Sequence, residues 1–457
     1  MSPRPRIVIF LSTLLMTALA CEFTPSLGST PEPDAKGAIA TSVAATIAAG
    51  EIADSTQGES TDPQPGDVPA PTDTMNPIPP APSTLKAVYI RNGNLWYWEE
   101  GILPYSLTSG GDAYDVQLSD DGSVAAFTRG PDWYHQELWA VNTGGGSLRK
   151  LVSQAALDGY ITHPDAVSAR IYSFAFRPGT HQVAFNTQLT FEGPGLFLND
   201  DLRVVDADTA TLSTVLSPGS GGNFTYSPDG SKVGLVTADQ VSLVNPDGTG
   251  RVDLLSFPVV ITYSEYNYYP PFSWMPDGSA IRVVIPPEDP LAPSPDITRI
   301  YHLPVDGSGP TVLTGMVPVP FFQSTPFLSG NTERVAYLVE ITPGSPPNLE
   351  LHLANIDGSG DMIYATGPLA FHAWGTNGHF FLYTDASPNP KIGEYGIAPN
   401  PLTGVSNLIS ASWVDETRFF FQQKNGSNYE LWLGEVGAPS ILIDSTPGGM
   451  INFDFCE

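Results

Sequence analysis

Positive charge is scarce in this chain: 19 lysines and arginines stand against 48 aspartates and glutamates in 457 residues, for a formal charge of −29. Such a surface repels a phosphate backbone, so no nucleic-acid partner is expected. The acidity is read as solubility outside the cell. Cysteine is nearly absent, with only Cys21 and Cys456, and two thiols supply neither a disulfide framework nor a zinc cluster. Long apolar runs are missing except for Ile7 to Ala20, which is shorter than the roughly 20 residues of a comfortable membrane span. The Gly-x-Ser-x-Gly elbow, His-Glu-x-x-His and the P-loop do not occur; each would have carried a specific chemistry. No cofactor and no metal is expected.

The N-terminus, MSPRPRIVIFLSTLLMTALAC, sets Arg4 and Arg6 before the apolar run and a small residue before Cys21. Residues 1–20 are read as a secretory signal peptide. Ala18-Leu19-Ala20-Cys21 resembles the lipobox of bacterial lipoproteins, with Ala18 where leucine is usual. That resemblance implies lipidation at Cys21, an anchor on the extracellular or periplasmic face, and membrane contact only through the lipid. Residues 21–84 are rich in Pro, Ser and Thr and almost free of aromatics. They bury too little apolar surface to offset backbone entropy and are expected to form a disordered tether.

From Leu85 to Glu457 short β-type runs alternate with turn residues. YSPDGSKVGLV at Tyr226 to Val236 returns as WMPDGSAIRVV at Trp274, LSDDGSVAAF at Leu118 and FRPGTHQVAF at Phe176. The residues preceding these turns, Leu118, Phe176, Tyr226, Trp274, Phe327, Trp374, Trp413 and Phe455, recur at roughly the 40–60-residue spacing of propeller blades. Asp-Gly between alternating runs marks a hairpin, because Gly takes the positive φ the turn demands. The first unit lacks one strand, and INFDF at Ile451 to Phe455 is one strand too many at the other end. The expected fold is therefore all-β: a single propeller of eight, alternatively seven, four-stranded blades, closed by the C-terminal strand.

The aromatic-Ser-Pro-Asp-Gly-Ser pattern at Tyr226 and its degenerate copies resembles the WD40-like repeats of the TolB-type propellers, across residues 85–457. The resemblance implies the fold, since the motif is structural. The chain lacks the α/β domain that accompanies the propeller in that family, so the family's envelope role does not carry over.

Chemistry is thinly spread. His135, His163, His181, His302, His352, His372 and His379 are scattered over different blades rather than gathered in one. Asp206 and Asp208 sit in a turn that lacks the glycine and distal glutamate of a calcium loop. The tight Asp-Gly turns join first to second and third to fourth strands, whereas the long connections join second to third strands or one blade to the next. One face of the ring is thus trimmed and the other elaborated. On the elaborated face the aromatic residues Trp133, Tyr134, Tyr160, Tyr263, Tyr266, Tyr268, Tyr269, Phe321 and Phe322 form the candidate ligand-binding patch, because tyrosine gives contact area at small entropic cost. The expected function is non-catalytic binding of a protein, peptide or glycan at the cell surface by a monomer. The alternative is a propeller hydrolase or lyase with its site in the central channel.

Overall fold

The computed structural model describes residues 84–457 apart from 147, 193–195, 293–295, 317–326, 343–347, 388, 403 and 448–451. The signal peptide, the tether, Cys21, Phe321 and Phe322 lie outside the described residues.

The strands form eight antiparallel sheets, which settles the blade count at eight. In each blade four strands lie side by side from the axis outward, and innermost strands of neighbouring blades pack together around the axis. The repeated anchor residues all lie on innermost strands, among them Ala113–Leu118, Asn223–Tyr226, Phe272–Trp274 and Leu408–Trp413. They join blade to blade. The indole N–H of Trp274 donates to the carbonyl of Thr225 at 3.2 Å, and that of Trp374 to Phe327 at 2.9 Å, each on the preceding innermost strand.

The motif after the anchor is a self-contained turn. Ser227 Oγ donates to Asp229 Oδ1 at 2.6 Å, and the same carboxylate oxygen accepts the N–H and hydroxyl of Ser231. These bonds, led by that from Ser227, hold the Asp229 carboxyl down to about 2. Gly230 follows at φ 66°. Where the sequence departs from Pro-Asp-Gly the geometry persists: Asn331 receives Ser329 Oγ at 2.7 Å, and Thr332 takes φ 57° in place of glycine. Beyond the turn, Val233 and Leu235 pack toward blade 3 and Val236 toward blade 5. A Cβ on Gly234 would lie 2.8 Å from the Phe272 ring, so the close approach of blades 4 and 5 requires glycine there.

The ring closes as the strand count demands. Phe453–Cys456 is the innermost strand of blade 1, paired antiparallel with Lys86–Arg91 in the register Ala87↔Phe455 and Tyr89↔Phe453. Phe453 and Phe455 lie 5.7 and 4.9 Å from the buried ring of Phe420 in blade 8. Cys456 is a free thiol, pushed up to about 11 chiefly by burial and therefore a poor nucleophile.

Two sequence expectations need correction. Blade 3 has five strands, because Leu196–Leu198 pairs with the outer end of Gln182–Phe191. The elaboration of one face is also uneven, since the second-to-third connections of blades 1 and 8 are tight hairpins with the end pairs Arg91↔Asn94 and Asn425↔Asn428. In blade 2 the segment read as a loop is a protruding hairpin of Val124–Asp132 and His135–Asn142. Strand pairing satisfies backbone groups that a long loop would leave to water.

Candidate functional site

Trp133 and Tyr134 form the tip of the blade 2 hairpin. Asp132 Oδ1 fixes the turn by accepting the N–H groups of Tyr134 and His135, both at 2.9 Å. Both rings are exposed and meet edge to face with centroids 5.2 Å apart. Beneath Trp133 lies the guanidinium of Arg170, 3.6 Å from the ring centroid, with Nε and Nη2 donating to Gln188 Oε1. Burial pulls Arg170 down to about 10, opposed by Asp115 and Tyr172. A cation buried under an indole is a rigid support for an exposed ring.

The tyrosines between blades 4 and 5 divide into two kinds. Tyr263 is 63% exposed, sits at φ 57° and donates its hydroxyl to Asp289 Oδ1 at 2.8 Å. Tyr266 is 40% exposed, and its carbonyl accepts the Thr262 hydroxyl. Tyr268, by contrast, is raised to about 12 by burial. Tyr269 is also largely covered and donates to both oxygens of Asp200 at 3.0 Å, tying this loop to blade 3. Tyr160 packs against the core between blades 2 and 3, with the Arg203 guanidinium 3.3 Å from its ring centroid. Of the nine aromatic residues singled out by sequence, the structure therefore places Trp133, Tyr134, Tyr263 and Tyr266 in solvent and Tyr160, Tyr268 and Tyr269 in packing roles.

Pattern reading missed the polar residues of the central channel. At the end nearer the elaborated face, the starts of the innermost strands of blades 8, 1, 2 and 3 enclose a cavity of about 480 Å³, lined in part by Asp115, Tyr172, Ser410, Gln422 and Asn452. Asp115 opens into the channel yet is walled by protein, and this desolvation raises its carboxyl pKa against the lowering effect of Arg170. Asn452 Nδ2 donates to Asp115 Oδ1 at 3.1 Å. Asp200 is raised as well, by desolvation and by Asp201 and Asp239, with the Tyr269 hydrogen bond acting against the shift. The available signal was an ionic residue inside an innermost strand, Asp115 in AYDVQL and Arg170 in AVSARIYSFAF. Across the ring, Phe327, Leu328, Phe371 and Trp374 help line a more apolar cavity of about 340 Å³ between blades 5, 6 and 7.

The remaining candidates resolve into local structure. Asp206 accepts from Thr209 and from the N–H of Asp208, a turn cap. His181 bridges Asp208 at 2.7 Å and Asp121 at 3.3 Å on the trimmed face. His372, on the innermost strand of blade 7, is held neutral by burial at about 4, with Nε2 3.2 Å from Thr384 Oγ1. Among the described residues no group of three or more His, Cys, Asp or Glu is placed to hold a metal ion.

No protein-family model and no curated protein matches this chain. Among solved structures it is similar to TolB from Acinetobacter baumannii, at 14% identity and TM-score 0.32, over 60% of this chain and 62% of TolB. It therefore spans less than two thirds of that protein's length. It is also similar to an oligogalacturonate lyase from Vibrio parahaemolyticus, at 14% identity and TM-score 0.41, covering 65% of this chain and 82% of the lyase. The β-propeller domain of the Trilobed protease from Pyrococcus furiosus matches at 13% identity and TM-score 0.40, over 62% of this chain and 84% of that domain. These likenesses concern fold alone.

Proposed function

We propose that this protein is a non-catalytic binding propeller, exported, lipid-anchored through Cys21, and held away from the membrane by its Pro-rich tether. Its partner, a protein, peptide or glycan, docks on the face of long connections. The observation that carries this reading is the exposed Trp133-Tyr134 pair, seated on the Arg170 guanidinium at 3.6 Å. An aromatic tip held rigid before contact loses little entropy on binding, which is the property of an interface anchor. The exposed rings of Tyr263 and Tyr266 extend the same face toward blade 5.

A propeller hydrolase or lyase is expected to assemble a paired-carboxylate or His-carboxylate constellation in the channel. Among the described lining residues of the polar cavity Asp115 is the one carboxylate and no histidine joins it, the Tyr172 hydroxyl being the other ionisable group there, and binding is the reading we favour. The test is capture from the native cell envelope by the full chain and by two variants. Trp133→Ala with Tyr266→Ala should lose the partner, while Asp247→Ala with Asp306→Ala on the trimmed face should keep it. Loss only in the trimmed-face variant refutes the assignment.

A further inference from the structure

The polar cavity of the channel holds a group that nothing in the fold explains. Gln422 is 1% exposed, on the strand Arg418–Asn425 of blade 8, and it lines the cavity. Its Oε1 accepts from Ser410 Oγ at 3.3 Å, but among the described residues Nε2 has no partner. Turning the amide over only exchanges which of its two atoms is left over, because Ser410 can serve either one. A buried, unmatched amide costs about 1–3 kcal/mol and is uncommon in a folded core.

The rest of the wall is of one chemical kind. Gln117, Ser173, Ser410, Asn452 and the Tyr172 hydroxyl offer neutral donors and acceptors, Asp115 offers one carboxylate, and Phe174 and Phe453 offer apolar ring surface. No lysine or arginine is among these lining residues. The Arg170 guanidinium acts on Asp115 from outside this lining and is already engaged with Gln188 and Trp133. Phosphate and carboxylate ligands thus find no free counter-charge among the lining residues, and the chain's charge of −29 opposes them further. Amide, hydroxyl and carboxylate groups set beside aromatic carbon match a molecule with adjacent hydroxyls on one side and C–H groups on the other. The volume of about 480 Å³ falls within the range of small-ligand sites.

We infer that the channel between blades 8, 1, 2 and 3 is a binding site for a neutral sugar, free or at the end of a glycan, with Gln422 and Asp115 among its hydrogen-bonding partners. The site is separate from the docking face proposed above and stands without it.

Saturation-transfer NMR on the full chain tests this, with millimolar glucose, galactose and mannose, their methyl glycosides, and glucuronate as the anionic comparison. Neutral hexoses or their glycosides should receive saturation and glucuronate should not. Transfer to the methyl glycosides alone identifies a terminal residue as the ligand; transfer to both identifies a free sugar. Gln422→Met with Gln117→Ala, once circular dichroism has shown it folded, should weaken binding by about tenfold. Tyr263→Ala with Tyr266→Ala, which tests only the docking face, should bind sugar normally. The absence of transfer to any neutral probe, equal transfer to glucuronate, or undiminished binding in the folded glutamine variant would each overturn the inference.

Discussion

The carboxylate of Asp454 accepts the backbone N–H of Leu118 at 2.7 Å. This bond fastens the last strand of the chain to the innermost strand of blade 2, while Phe455 on the same strand packs on Phe420 of blade 8. One strand near the C-terminus thus completes the first blade and touches the blades on both sides of it. Removing residues 451–457 should expose the inner edge of Lys86–Arg91 and lower the melting temperature by more than about 10 °C, or cause aggregation. Phe455→Ala should cost about 2–4 kcal/mol by chemical denaturation. An unchanged melting temperature in the truncated chain would contradict the closure.

Asp454 also makes stability depend on pH. Burial raises its carboxyl to about 6, with Asp120 adding to the shift and the N–H of Leu118 opposing it. The folded chain therefore binds this proton more tightly than the unfolded chain, whose ordinary carboxyl titrates near 3.8. The group's contribution is fully present below pH 4 and is lost as pH rises through 6, a change of about 2–3 kcal/mol. Asp454→Asn keeps an acceptor for Leu118 and removes the buried charge. Denaturation measured from pH 4 to 8 should find the variant more stable than the parent at pH 8 and close to it at pH 4. A constant difference across that range would assign the effect to something other than ionisation.

Thr332 occupies the glycine position of the blade 6 turn at φ 57°, and its buried Oγ1 has no hydrogen-bond partner among the described residues. A β-branched residue in the left-handed region carries backbone strain. Thr332→Gly should stabilise the domain by about 1–2 kcal/mol in urea denaturation, and a loss of stability would mean that the threonine methyl contributes packing that outweighs the strain.

The proposed lipid anchor rests on a single thiol, that of Cys21, the residue after the expected signal peptide. On the proposed export and lipidation, Cys21→Ser should move the chain from the detergent phase to the aqueous phase with its melting temperature unchanged. Retention in detergent would require a different anchor.

Most of the architecture was legible because the repeated turn is local chemistry. Serine, aspartate and glycine in series bond to one another whatever surrounds them, so Asp229 and Gly230 announce a hairpin from the sequence alone. Strand arithmetic then gave the closure at Phe455. The aromatic patch was less legible, since burial is a tertiary property: Tyr266 and Tyr269 lie three positions apart, yet one meets solvent while the other bonds to Asp200 of another blade. The channel wall was least legible. Asp115, Gln422 and Asn452 come from three blades and converge only because the ring closes, so no local pattern joins them.

The claim that the elaborated face is the docking side is tested most directly by site-specific photocrosslinking in the native cell. A benzophenone amino acid placed at Tyr134 or Tyr266 reaches outward from that face, and one placed at Asp247 or Asp306 reaches from the other. A discrete crosslinked product at the two tyrosine positions, and none at the two aspartate positions, is the result expected. Products at the aspartate positions alone would place the partner on the trimmed face and contradict the account.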